Sequence, residues 1–241
     1  MRYIYLSPHL DDAALSAGGL IHDLTQTGNT VEIWNFFCGF PPEGELSPFA
    51  QELHFEWGTT SAEETIRIRR VEDEKAAAIM GAKTIFFDFL DCIYRRGPEG
   101  DWLYADVFVP PHEADADLPA RIAESISARL MQDDVLICQL SVGSHVDHVI
   151  VRQAAELLAR PLLYVVDIPY MFKYPDELAS KSAGMKEKLY RVSETGLKSW
   201  QDASLAYASQ LSTLFEPGQD LRDKLQSYWA EQGGIRLWSF E

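Results

Sequence analysis

The segment SPHLDDAALSAGG, running from Ser7 to Gly19, sets one histidine and two adjacent aspartates, His9, Asp11 and Asp12, directly after an apolar opening run. Neighbouring carboxylates repel unless something positive lies among them. A second segment, SVGSHVDHVIVRQAA, carries His145, Asp147 and His148 directly after the apolar run DVLICQL. Imidazole and carboxylate together suit a borderline divalent cation such as zinc. A catalytic zinc site commonly takes three protein ligands and keeps a position for water, and a carboxylate beside it takes a proton from that water. Taken singly, a histidine in a polar loop is usually solvated, and an aspartate ahead of a helix is usually an N-cap. The two clusters gain meaning from the elements that must position them.

Short apolar runs at Tyr3–Leu6, Val31–Phe37, Thr84–Phe87, Val135–Leu140 and Leu162–Val166 read as strands buried on both faces. Helical patterns fall between them at about Ala13–Thr27, Ala62–Met80, Leu118–Met131 and Val149–Ala159, with Gly28 and Gly81 as stop signals. This alternation predicts an α/β fold with a doubly wound, mostly parallel sheet and helices on both faces. In that topology the first and fourth strands are neighbours at the switch in strand order, and ligands bind at their carboxyl ends. Both His/Asp clusters would then face one crevice. The stretch Gly39–Gly58 reads as an insertion loop, and Asp88–Asp117 as a second irregular segment framing the site. From Asp167 onward, a strand at Leu189–Val192, helices near Leu197–Leu214 and Leu221–Ala230 and an edge strand at IRLWSFE read as a C-terminal cap without its own core. One domain over 1–241 is expected, with a Rossmann-like core at 1–166 and cap elements at 167–241. Gly18 and Gly19 sit inside the first helical pattern, where close packing of that helix on the sheet or against the metal-site loop would explain them.

Against 21 basic residues stand 37 acidic ones, a net charge of −16 that argues against unassisted binding to nucleic acid or an anionic membrane. The three cysteines, Cys38, Cys92 and Cys138, form no close pair and read as reduced thiols of a cytoplasmic protein. No apolar run approaches a membrane span. Homo-oligomerisation is open, with a sheet edge or the aromatic C-terminus as the available interface.

PHLDDAALSAGG resembles the PHPDDxxxxxGG signature of the LmbE-like, or PIG-L, de-N-acetylases, and SHVDH resembles that family's HPDH segment. RRVEDEKAAAIMG is similar to its RxxE helix, FLD at Phe89–Asp91 to a substrate-contacting segment, and YASQ at Tyr207–Gln210 to a late pattern, so the likeness runs from residue 1 to about 215. The resemblance implies a zinc-dependent hydrolase that removes an acetyl group from an N-acetylglucosamine-type or related amino-sugar conjugate, with one Zn2+ per chain and a small-molecule glycoside as partner. By matched position, His9, Asp12 and His148 would bind zinc, and Asp11 would be the general base. Arg69 and Asp91 would bind substrate. Asp147 would orient a neighbouring histidine. His145, as imidazolium, would stabilise the oxyanion or protonate the leaving amine. Leu10, Ala13 and Val146 depart from the signature without removing a ligand. Gly143 stands where some members carry an oxyanion-donating tyrosine, leaving Tyr94 or Tyr174 as substitutes. Trp57 and Trp102 are the aromatic candidates for stacking on substrate, whereas Trp34, Phe36 and Phe37 read as core. Competing readings are an amidase for another small amide, a non-catalytic carbohydrate-binding protein with a retained metal site, and a two-metal phosphoesterase.

Overall fold

The computed structural model describes residues 1–215 and 220–240. In chain order its elements are β1 (Arg2–Ser7), α1 (Asp12–Gln26), β2 (Thr30–Asn35), α2 (Pro48–Trp57), α3 (Ala62–Met80), β3 (Lys83–Phe86), α4 (Leu118–Ser127), β4 (Val135–Gln139), α5 (Val146–Leu157) and β5 (Leu162–Val165). There follow α6 (Tyr170–Lys173), α7 (Leu178–Lys181), β6 (Lys186–Arg191), α8 (Glu194–Ser204), α9 (Leu211–Leu214), α10 (Leu221–Gln232) and β7 (Gly234–Ser239). Among the described residues the strands form one sheet in the order β3-β2-β1-β4-β5-β7-β6. The first five are parallel, and β1 pairs with both β2 and β4, which places the switch in strand order between β1 and β4. Helices α1, α3 and α8 pack together, and α4 packs on α5, so the sheet is covered in two separate helical layers. No helix among the described residues is long and apolar enough to cross a membrane.

The glycine pair in α1 serves close helix packing, but against the C-terminal cap rather than the sheet or the metal-site loop. A Cβ on Gly18 would come within 2.8 Å of the Trp200 ring, and one on Gly19 within 2.6 Å of Val192. Helix α8 can lie this close to α1 because neither position carries a side chain. Trp200 is fully buried and donates from Nε1 to the Leu15 carbonyl at 2.8 Å, which fixes the contact in register.

Three expectations are corrected. The stretch Gly39–Gly58 is not all loop, because it contains α2: the Ser47 hydroxyl accepts from Ala50 N at 2.9 Å, Pro48 opens the helix, and Gly58 ends it in the left-handed conformation at φ +69°. The terminal strand is interior, since β7 lies between β5 and β6 and is antiparallel to both. The edge belongs to KEKLYR of β6, whose exposed charges discourage further pairing. Glu241, the last residue of IRLWSFE, lies outside the described residues. The helix expected near Leu197–Leu214 breaks into α8 and α9, because the chain between them turns to meet α3. There the Tyr207 hydroxyl donates to Asp73 Oδ1 at 2.7 Å, and Ser209 donates from its backbone N and its Oγ to Glu72 at 2.9 and 2.6 Å.

Asp73 is the node of that junction, also accepting from Asn35 of β2 at 2.8 Å and from the Thr84 hydroxyl of β3. Burial pushes its carboxyl up to about 7, against the lowering effect of those hydrogen bonds. An unfolded aspartate titrates at about 4. The native state therefore keeps its proton over a range where the unfolded chain has lost it. The stability tied to this proton is complete below about pH 4 and is lost as pH rises through about 7. Asp73→Asn is expected to flatten this part of the pH–stability profile, so that urea midpoints measured at about pH 5 and about pH 8 differ less than in the wild type.

Candidate active site

The loop after β1 is closed on itself before it meets anything else. The Ser7 hydroxyl donates to the His9 carbonyl at 2.7 Å, and the His9 backbone N–H donates to Asp12 Oδ2 at 2.8 Å. Asp11 caps α1 through its backbone alone, leaving its carboxylate without a capping bond and facing the cleft. The loop after β4 is equally compact. His145 is the N-cap of α5, its Nδ1 accepting from the Asp147 N–H at 3.2 Å, so α5 starts at Val146 and the VDH residues occupy its first turn. Parallel pairing of β1 with β4 brings the two loops together. Ring centroids of His9 lie 4.8 Å from His145 and 5.3 Å from His148.

Tautomers follow from the partners. His148 directs Nδ1 to Asp167 Oδ1 at 2.8 Å, so Nδ1 carries the proton and Nε2 presents its lone pair. That Nε2 is buried without a hydrogen-bond partner, 3.4 Å from Asp12 Oδ1. His9 directs Nε2 to Asp147 Oδ2 at 3.1 Å, which turns Nδ1 toward Asp12 Oδ2 at 3.3 Å. The unpartnered His148 Nε2, His9 Nδ1 and both oxygens of one carboxylate thus converge, a donor set suited to a borderline divalent cation. Ligand-type atoms of His9, His145 and His148 lie within 4.8 Å of one another, as do those of His9, Asp91 and Asp147.

The electrostatics are those of a buried, carboxylate-rich cluster. Burial pushes Asp11 up, and Asp12 adds to it, while Arg69 opposes both. Asp12 is held well below the usual carboxylate range by His148 and His9, although burial alone would raise it. His9 is pushed well up by Asp12 and Asp147 against the effect of burial. His145 goes the other way: burial, then the neighbouring His9 and His148, hold it well below its ordinary value. The Asp147 N–H bond at Nδ1 leaves Nε2 of His145 as the nitrogen that faces away from α5.

Arg69, from α3, reaches Asp11 at 3.9 Å and Asp91 at 4.0 Å, with a buried Nε that has no partner. Asp91 caps a short 3-10 turn by accepting from Ile93 N at 3.2 Å. His9, Asp11, Asp12, Arg69, Asp91 and His145 all line one cleft of about 310 Å³, and Asp147 and His148 stand buried behind it. These eight residues are therefore at or directly behind this cleft. Trp57 lines it, with the Arg69 guanidinium 5.4 Å from its ring centroid. Trp102 is instead packed beneath Arg96, 3.5 Å from the ring centroid. Trp34, Phe36 and Phe37 are core, as expected.

Sequence reasoning missed two supporting residues. Asp167 accepts from His148 Nδ1 and also from Val142 N at 2.9 Å. It directly follows β5, the neighbour of β4, so its place at a strand's carboxyl end was a usable signal. Arg95 left no such signal. It is buried, donates to Asp147 Oδ1, and reaches Asp115 Oδ2 at 3.3 Å, and so holds Asp147 ionised from within the irregular segment. Arg95→Met is expected to destabilise the protein by about 3–5 kcal/mol in urea denaturation, because Asp147 would remain buried without its guanidinium, with Arg95→Lys recovering part of the loss.

A cleft at the switch point of an α/β sheet, with paired histidines and a carboxylate free to take a proton, defines a hydrolytic enzyme. The family model for GlcNAc-PI de-N-acetylases, PIG-L, matches residues 4–159. The 2'-N-acetylparomamine deacetylase of Niallia circulans is 25% identical over 265 residues, spanning 98% of this chain and 93% of that protein. A deacetylase of the teicoplanin biosynthesis pathway superposes with a TM-score of 0.86 at 27% identity, covering 99% of this chain and 97% of the other. The A40926 pseudoaglycone deacetylase superposes with a TM-score of 0.81 at 31% identity, covering 99% and 96%. The teicoplanin enzyme is also known in a zinc-inhibited form, with a TM-score of 0.85 at 26% identity, covering 99% and 97%. The chain belongs to the GlcNAc-PI de-N-acetylase (PIG-L) family. It is an amide hydrolase of the N-deacetylase type.

Proposed function

We propose that this enzyme removes the N-acetyl group of an N-acetylglucosamine-type or related amino-sugar conjugate, with one zinc ion per chain held by His9, Asp12 and His148. The observation that carries the reading is the partnerless, buried Nε2 of His148 facing the Asp12 carboxylate, with His9 Nδ1 on the same group. When bound there, a divalent ion supplies Lewis acidity to the amide carbonyl and lowers the pKa of water.

The chain's own residues supply the rest. Asp11, free of any capping bond and lining the cleft, takes the proton from the attacking water. His145, whose Nδ1 accepts from the Asp147 N–H, donates a hydrogen bond from Nε2 to the developing oxyanion, and Asp11 returns its proton to the departing amine. The water oxygen forms the new C–O bond, the C–N bond breaks, and acetate and a free amine result. Arg69 donates to substrate hydroxyls from its unpartnered Nε, and Asp91 accepts from them. Asp147 and Asp167 hold the proton-bearing nitrogens of His9 and His148, which keeps the opposite nitrogens aimed inward. The relatives named for 2'-N-acetylparomamine and the A40926 pseudoaglycone support a small-molecule substrate of this class. The buried free thiols of Cys38, Cys92 and Cys138 suit a reducing, cytoplasmic setting.

Asp11→Asn is expected to lower kcat for acetate release about 10²–10⁴-fold with the metal retained. Asp167→Asn is expected to weaken metal affinity about 10–100-fold in chelator competition. Full activity in the Asp11 variant contradicts the mechanism.

A further inference from the structure

The four residues that lead from β4 to His145, SVGS, concentrate backbone strain. Among the described residues three non-glycine positions have positive φ, and two of them are Ser141 and Ser144, both at +58°. Between them Gly143 stands at +82°. A serine in this conformation brings its Cβ against the neighbouring carbonyl, a cost that glycine does not carry. The loop has little of its own to offset it. Its one internal hydrogen bond runs from Ser144 N to the Ser141 carbonyl at 3.1 Å, and the buried Ser141 hydroxyl has no partner.

What holds the loop comes from the chain that follows β5. Val142 N donates to Asp167 Oδ2 at 2.9 Å, and the next N–H, that of Gly143, donates to Glu177 Oε2 at 2.9 Å. Lys181 Nζ donates to the Ser144 hydroxyl at 2.8 Å. Glu177 and Lys181 stand four residues apart, the spacing at which glutamate and lysine pair with each other. No ion pair joins them among the described residues, and each turns to the loop instead. The contact is close, since a Cβ on Gly143 would fall 3.2 Å from Tyr170 Cβ and 3.1 Å from the Tyr174 ring. Arg152 of α5 ties the two segments together, donating from Nη1 to the Leu140 carbonyl at 2.7 Å and to that of Lys181 at 3.3 Å.

Ser144 immediately precedes His145, so its backbone angles set where the His145 ring stands. Relaxation of either serine to the right-handed region would swing the backbone that carries this ring. A displacement of about 1 Å at a reacting centre can cost about 10²-fold in rate. His148 is supported separately, by Asp167. We propose that Glu177 and Lys181 are positioning residues: they clamp Ser141–Ser144 in its left-handed form and so hold His145 against the reacting amide. The assignment rests on the deacetylase reading above. The competing role is a structural one, in which the same bonds only fasten α6 and α7 to the core.

The test measures kcat, KM and zinc affinity by chelator competition, with an N-acetylglucosaminide as substrate. Circular dichroism checks that each protein is folded at the assay temperature. Glu177→Met is expected to lower kcat about 10–100-fold, with KM and zinc affinity each within about threefold of wild type. Glu177→Gln keeps an acceptor for the Gly143 N–H and is expected to recover most of the loss. Lys181→Met, a milder cut at the same loop, is expected to lower kcat about 3–10-fold, and it carries the test alone if Glu177→Met does not fold. Adding Ser141→Gly to Glu177→Met is expected to raise kcat at least about fivefold, because glycine adopts the left-handed conformation freely and the Ser141 hydroxyl has no bond to lose. Unchanged kcat in the folded variants, a loss of kcat matched by loss of zinc affinity, or a defect that Ser141→Gly leaves unmoved overturns this assignment and leaves the deacetylase reading standing. A wild-type enzyme that hydrolyses no amino-sugar acetamide overturns that reading, and this assignment with it.

Discussion

The carboxylates of Asp11, Asp12, Asp91, Asp147 and Asp167 are all buried around His9 and His148, and the need to balance their charge shapes everything near them. Ionised groups out of water are costly unless paired. Each carboxylate has its own solution. Asp147 has Arg95 and His9, Asp167 has His148 and a backbone N–H, and Asp91 and Asp11 share Arg69 at longer range. Asp12 is left facing two imidazole nitrogens, and there the cluster calls for a cation. Burial, with Asp12 beside it, pushes the Asp11 carboxyl up, while Arg69 pulls it down.

The scaffold serves this balance by bringing residues remote in sequence to one crevice. Pairing of β1 with β4 aligns the loops that begin at Ser7 and Ser141, and β5 adds Asp167 at the next strand end. Helix α3 carries Arg69 inward, and one turn later Glu72 and Asp73 grip the segment containing Tyr207 and Ser209. That grip explains why RxxE and YASQ, far apart in sequence, belong to one site: Gln210, next to Ser209, and Leu214, on α9, form part of the cleft wall. The insertion helix α2 contributes the facing wall through Phe49, Leu53 and Trp57, and the His54–Tyr94 hydrogen bond ties it to the turn that holds Asp91.

Much of this was legible in the sequence, because the relevant signals are local. Strand runs buried on both faces, helix stops at Gly28 and Gly81, and His/Asp clusters at strand ends all depend on neighbouring residues. What escaped depends on distant ones. Arg95 matters only because it meets Asp147, and nothing around it announces that. The break between α8 and α9 is imposed by α3, overriding a continuous apolar pattern. β7 looks like an edge strand by its alternation, yet the charged β6 covers it. The downward shift of His145 likewise comes from burial and from two histidines that only the fold brings near. Helix α2 is the exception, since its serine cap, proline and terminal glycine were readable but were outweighed by the PPEGELSP turn residues before it.

The central claim is that His148 and the loop after β1 share a single metal centre. It is tested most directly by elemental mass spectrometry of purified wild-type protein and of His148→Ala prepared in parallel, with circular dichroism to confirm that both are folded. The account predicts about one zinc per wild-type chain and loss of most of it in the variant. Zinc retained in full by His148→Ala, or no metal in either protein after reconstitution, would contradict it.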